Sequence, residues 1–158
     1  GDFLHVTGAL GGPSAALRSL GSGAPPKAAI RERFARPAAR IAEARWLAMH
    51  GAVALNDVSD GIGADAGHLA AASGCSIVLE ADRIPVFAGA SPEDAWGGEE
   101  YELLVASRTP LPTQEFSARF RLPLTLVGRC AEGHAGVKVK QGGKTIDVSG
   151  TAWVHFGR

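Results

Sequence analysis

Ala52-Val53-Ala54-Leu55-Asn56-Asp57-Val58-Ser59-Asp60-Gly61-Ile62-Gly63-Ala64-Asp65 carries the chain from a strand, through a polar turn, into a helix. The apolar run Ala52 to Leu55 reads as a buried strand, and it ends in two aspartates and a serine. A glycine follows. A helical pattern (Ala64, Leu69, Ala70, Ala72) then runs to Ser73-Gly74. In such an arrangement the helix N-terminus faces whatever the turn binds, and its N–H groups and dipole favour an anion. Asp57 and Asp60 are hard oxygen donors of the kind Mg²⁺ takes, with substrate phosphates completing the shell. The alternative at this point is that Ser59 or Asp60 merely caps the helix.

Outward from this stretch, helices and strands are mixed. Phe3 to Thr7 reads as a strand. The glycine-rich Gly8-Ala9-Leu10-Gly11-Gly12 lacks the Lys-Ser/Thr of a phosphate-binding P-loop and reads as a tight turn into a helix over Pro13 to Leu20. Helices are expected over Ala28 to Arg36 and, after Pro37, over Ala38 to His50. Trp46 is expected in packing, and Gly51 as a C-cap. Cys75 to Glu80 and Leu124 to Cys130 read as strands, and Pro112 to Phe120 as a helix. Gly142-Gly143 joins two strands, Val137 to Gln141 and Lys144 to Val148, as a hairpin. Between them, Gly97-Gly98-Glu99-Glu100-Tyr101-Glu102-Leu103-Leu104-Val105-Ala106 has two glycines that allow close backbone approach. A strand is expected from Tyr101, with Tyr101, Leu103 and Val105 on one face. Its acidic start suits a cation or an amine, or simply solvent. The pattern predicts an α+β (mixed α/β) fold, a layered domain with a mixed sheet packed by helices.

The 158 residues suffice for one domain with a real core. Sixteen basic side chains balance sixteen acidic ones, so no net field draws nucleic acid or an anionic membrane. The arginines Arg31, Arg33, Arg36, Arg40 and Arg45 cluster and read mostly as solvated helix faces. No apolar run of about 18 residues exists, so no membrane span is expected. Cys75 and Cys130 read as buried free thiols rather than a disulfide or metal site, and a reducing cytoplasm is the expected setting. The chain opens at Gly1 directly into a strand, which suggests a piece of a longer protein.

Three elements in this order resemble the thiamine-monophosphate kinase family. They are Asp57-Val58-Ser59-Asp60-Gly61 with Asp65 and His68 downstream, Gly97-Gly98-Glu99-Glu100-Tyr101-Glu102-Leu103-Leu104, and Gly150 through Phe156. The opening Val6 to Gly11 and the Arg36 to Arg40 segment fit as well. The resemblance covers nearly the whole chain but only the C-terminal half of that enzyme. It implies a domain like the C-terminal one of aminoimidazole ribonucleotide synthetase-type proteins, with the N-terminal ATP-binding domain absent from residues 1–158.

Carried over residue by residue, the resemblance makes Asp57 and Asp60 the Mg²⁺ ligands and catalytic carboxylates. It has Ser59 contact the nucleotide, Glu99 the thiamine phosphate, and Trp153 the thiazolium, which is a sensible cation–π partner for indole. The family moves the γ-phosphoryl group of ATP to thiamine monophosphate, and catalysis would rest on positioning and charge stabilisation. Glu100 stands where the family usually has Asp, Ile62 replaces Leu, and Thr151 and Ala152 add spacing before Trp153. With half the cleft missing, this chain is expected not to turn over alone. Its expected partners are ATP, thiamine monophosphate and the missing kinase domain, with room for a homodimer. The alternatives are a stand-alone module binding thiamine phosphate or nucleotide, or another ATP-dependent reaction of the superfamily.

Overall fold

The computed structural model describes residues 1–147. Seven strands form one mixed sheet: β1 (Phe3–Thr7), β2 (Ala52–Asp57), β3 (Ser76–Glu80), β4 (Leu103–Ser107), β5 (Leu124–Ala131), β6 (Gly136–Gln141) and β7 (Lys144–Asp147). Their spatial order is β2-β4-β1-β5-β3-β6-β7. All neighbours are antiparallel except β3 and β6, which run parallel. Five helices cover the sheet: α1 (Gly12–Gly21), α2 (Ala28–Ala35), α3 (Ile41–Met49), α4 (Ile62–Ser73) and α5 (Thr113–Phe120). The expected layered α+β architecture with a mixed sheet is the one observed.

Alternation along the central strands splits the core into two layers. Leu4, Val6, Leu104 and Ala106 face α4, where Ile62, Ala66, Leu69 and Ala70 meet them. Leu103 and Val105 face the other way, against Trp46 and Leu47 of α3 and Phe116 of α5. Trp46 is therefore a packing residue, edge-on to Phe116 and Phe120. His5 points from β1 into this second layer. Burial pulls its imidazole down to about 4, so it is neutral at ordinary pH. Cys75 and Cys130 are free, half-buried thiols. Burial and the neighbouring Cys75 thiol push Cys130 up to about 11.

Two expected boundaries move. Pro37 disfavours helix at the residue before it, and the helical path resumes only at Ile41, not Ala38. The segment between is irregular and is tied at its end by Arg40 to Glu102. β4 begins at Leu103, not Tyr101, because Glu99 and Tyr101 have φ of 65° and 53°, a left-handed conformation no strand accepts. Val148, expected to end the last strand, lies outside the described residues, as does Trp153. No helix among the described residues is long and apolar enough to cross a membrane.

Candidate functional site

Strand β2 delivers Asp57 to one end of the sheet, and the turn Val58 to Gly61 passes the chain to α4. Val58 is fully buried and pins the turn to the core. Helix α4 is closed at its far end by a Schellman motif. Cys75 N–H bonds Ala70 O, Gly74 N–H bonds Ala71 O, and Gly74 takes φ 60°.

The turn and the Gly97-to-Glu102 loop, some forty residues later, are joined edge to edge. Val58 N–H donates to Glu102 O at 2.7 Å, and Glu99 N–H donates to Ser59 O at 2.7 Å. Val58 O accepts from both Glu100 N–H at 3.1 Å and Tyr101 N–H at 2.8 Å. Gly98 lies so close that a Cβ there would overlap the Ser59 carbonyl. The second glycine of the Gly-Gly pair is thus a packing requirement of the turn. Two motifs distant in sequence form a single surface.

The N-cap position of α4 falls on Gly61, not on Ser59 or Asp60. The helix starts at Gly61 without a side-chain capping bond. Instead Asp65, in the first helical turn, reaches back. Its Oδ2 accepts the Ser59 and Asp60 N–H groups, each at 3.0 Å. Its Oδ1 accepts from Asn56 Nδ2 at 3.3 Å and lies 3.6 Å from His68 Nδ1. Asp65 is therefore the anion that satisfies these turn N–H groups, and it is almost fully buried. Burial pushes its carboxyl above the usual carboxylate range, the two backbone donors oppose this, and the Asp60 charge adds to it.

Sequence reasoning took the loop's glutamates together, and the structure separates them. Glu99 faces outward and accepts Tyr101 Oη at 2.9 Å. That bond, the Glu99 charge, and the charges of Asp57 and Asp60 all raise the Tyr101 phenol. The exposed Glu99–Tyr101 pair and the aspartates of the turn thus share one electrostatic environment. Glu100 and Glu102 point inward and are essentially fully buried. Glu102 accepts from Thr7 Oγ1 at 2.6 Å and from Arg40 through Nε at 3.0 Å and Nη2 at 2.6 Å, and Arg33 lies 2.9 Å away. Glu100 accepts the Gly11 N–H and pairs with Arg33 at 3.3 Å. Burial pushes the Glu100 carboxyl up to about 7, against Gly11 and Arg33.

Arg33 and Arg40 are thus not part of a solvated helix face, as expected from sequence. A buried carboxylate pair draws both guanidinium groups in, because an unpaired buried charge is strongly unfavourable. The glycine-rich turn before α1 uses its Gly11 N–H on Glu100, consistent with a tight turn. The missing signal was conformational: the left-handed residues Glu99 and Tyr101 interrupt the strand alternation and turn Glu100 and Glu102 inward, where Arg33 and Arg40 meet them.

Asp60, Asp65 and His68 bring ligand atoms within 4.8 Å of one another. Asp65 is already taken by the turn, and a histidine nitrogen suits Mg²⁺ poorly. Asp57 and Asp60 remain as the hard carboxylate donors. Asp57, exposed as the last residue of β2, has the chemistry that a hydrated hard cation needs.

Known proteins resemble this chain over most of its length. The family described as AIR synthase related protein, C-terminal domain, matches residues 1–140. A thiamine-monophosphate kinase of Methanopyrus kandleri is 36% identical over 151 residues, covering 88% of this chain and 46% of the relative. The crystal structure of thiamine-monophosphate kinase from Stenotrophomonas maltophilia superposes with a TM-score of 0.79 at 32% identity, covering 88% of this chain and 50% of that one. A structure of AaThiL complexed with AMPPCP and TMP gives a TM-score of 0.75 at 32% identity, covering 99% and 52%. The chain spans about half the length of the curated relatives it matches.

Proposed function

Because the chain belongs to the AIR synthase related protein, C-terminal domain family, we propose that it forms the C-terminal half of an active site transferring the ATP γ-phosphoryl group to thiamine monophosphate. The observation that carries the reading is the fusion of two motifs into one surface. The Asp57-to-Gly61 turn and the Glu99 loop are joined by four backbone hydrogen bonds. Relatives at 30% identity or more that cover most of this chain include several thiamine-monophosphate kinases, which favours this reading over a stand-alone binding module or another superfamily reaction.

In this reading Asp57 and Asp60 hold Mg²⁺, Ser59 contacts the nucleotide, Glu99 contacts the thiamine phosphate, and Trp153 covers the cationic ring. A metal held by Asp57 and Asp60 would supply neutralisation of phosphate charge. The protein's own contribution is positioning. The Asp65 bonds fix the turn, and the bonds from residues 99 to 101 fix Glu99 beside it, so two reactants are held in one frame. Residues that complete the nucleotide site belong to the enzyme's other half, and the reaction takes place in the cytoplasm.

The test is incubation of the chain with Mg-ATP and thiamine monophosphate, following thiamine diphosphate by chromatography, beside calorimetric titration of thiamine monophosphate. The expected result is no product, with weak binding that Glu99→Gln abolishes. Steady turnover by the chain alone would overturn the half-site, and absence of any binding would overturn the substrate assignment.

A further inference from the structure

The loop that carries Glu99 is strained on its outer side and anchored on its inner side. Glu99 and Tyr101 take φ of 65° and 53°. Non-glycine residues enter this left-handed region rarely, and they stay there only where the surroundings over-determine them. The residue between them is the buried Glu100, whose contacts all lie inside the domain. Its carboxylate accepts the Gly11 N–H and pairs with Arg33 Nη2 at 3.3 Å. The same Arg33 Nη2 donates to the Glu100 carbonyl at 2.7 Å. Side chain and main chain of one residue are therefore gripped together, at the point where the chain turns left-handed on both sides.

We propose that Glu100 is a positioning residue, whose buried carboxylate tethers the left-handed pair Glu99 and Tyr101 to the Gly11 turn and Arg33 and so fixes Glu99 for its ligand. The inference deepens the proposed function and rests on the reading that Glu99 contacts the thiamine phosphate. Removing the tether lets the pair relax to ordinary backbone. The Glu99 N–H bond to Ser59 O and the Tyr101 N–H bond to Val58 O then open, while the sheet behind them holds. A buried acid with a purely structural role would behave differently, lowering protection everywhere in proportion to global stability.

The experiment is residue-resolved amide hydrogen exchange on the 158-residue chain, for wild type, Glu100→Gln and Glu100→Asp, with thiamine monophosphate titrated into each. In Glu100→Gln, exchange at Glu99 and Tyr101 should accelerate about tenfold more than at Val6 and Leu104 in the sheet centre. Binding should weaken by about tenfold. Glu100→Asp, which keeps the charge opposite Arg33, should recover most of both. Should Glu100→Gln fail to fold, Arg33→Gln opens the same tether from its other side and should give the same local pattern.

Uniform acceleration at all amides, or none at Glu99 and Tyr101, would overturn the tether. A loosened loop with unchanged affinity would overturn the positioning of Glu99. A loosened loop in a chain whose wild type binds no thiamine monophosphate would instead overturn the functional reading and leave the tether standing.

Discussion

Arg40→Met tests whether the inward arginines hold the domain together. Methionine keeps the aliphatic stem of Arg40 and removes the guanidinium. In the wild type that group grips Glu102 through two parallel contacts, at 3.0 Å and 2.6 Å, and lies 3.5 Å from Glu43. Glu102 is buried. Stripping one partner from a buried ion pair destabilises by about 3–5 kcal/mol, because the other charge is left without compensation. Here Glu102 retains Arg33 at 2.9 Å and the Thr7 hydroxyl at 2.6 Å. Half of its four contacts survive, so about 2 kcal/mol is expected. For a domain of this size that lowers Tm by about 4–8 °C. Arg40→Lys keeps the charge but not the fork, and should lose about 1 kcal/mol. Urea denaturation followed by tryptophan fluorescence gives both values. If Arg40→Met falls within about 0.5 kcal/mol of wild type, the range of ordinary surface substitutions, the arginine is a solvated surface group and the buried network is refuted.

Three other perturbations probe separate parts of the site. Glu100, pushed up to about 7, binds its proton more tightly folded than unfolded. Its contribution is thus fully present below the unfolded carboxyl range and is lost as pH rises through about 7. Glu100→Gln should flatten that decline, worth up to about 3 kcal/mol, and unchanged slopes in wild type and variant would refute it. The facing groups are Arg33, Glu102 and the Gly11 N–H, and removal of Arg33 should push the apparent midpoint higher still. Gly98→Ala places a Cβ on the Ser59 carbonyl, so it should destabilise by about 1–3 kcal/mol and weaken thiamine monophosphate binding together, read by melting and calorimetry. Asp57→Asn removes an exposed carboxylate, so stability should move by no more than about 0.5 kcal/mol. Any Mg²⁺-dependent nucleotide binding by the chain should disappear, and binding that persists unchanged would exclude Asp57 as a ligand.

His5 runs against Glu100 and explains why the pH tests must be read as differences. Its imidazole is lowered to about 4 by burial. Its contribution is present above the unfolded value and is lost as pH falls toward about 4. Between about 4.5 and 6.5 the two slopes oppose each other. A nearly flat wild-type profile there would be a cancellation of two buried groups, which subtracting each variant's curve separates.

The elements that repeat a local period were legible in the sequence. Gly142-Gly143 sits at φ of 53° and 79° between two strands as a hairpin needs. Ala52 to Leu55 is a strand as its apolar run suggests, but it is not the buried strand expected: β2 is the sheet's edge, and Val53 is 53% exposed. What stayed hidden was long-range or conformational. Arg33 and Arg40 look like solvent-facing charges because their partners, Glu100 and Glu102, lie more than sixty residues away. Tyr101 has the composition of a strand residue, and nothing local announces its left-handed φ. It goes with long-range contacts, the two N–H groups that meet on the Val58 carbonyl and the buried Glu100 before it. Asp57, Ser59, Asp60 and Glu99 were singled out because their order forms a pattern, but the structure alone shows that Asp65 occupies the turn N–H groups first offered to an anion.

The acids around the candidate site fall into two tiers, and the difference bears on what the site asks of a ligand. Glu100 and Glu102 are compensated from within by Arg33, Arg40 and backbone or hydroxyl donors. Asp65 takes backbone N–H groups. Among the described residues, Asp57 and Glu99 stand in no ion pair, although arginines are abundant in the first third of the chain. The fold thus spends its internal cations on the buried tier and leaves the outward tier negative. Such a surface repels a bare phosphate and attracts positive charge at close range. A metal-bound nucleotide and a thiazolium-bearing phosphate both bring cations with them. A phosphate ester without a metal or a cationic ring does not, so under the proposed function the chain should bind Mg-ATP and thiamine monophosphate in preference to free ATP and a monophosphate ester lacking a cationic ring. Equal affinity for all four would mean that the outward acids play no part in recognition.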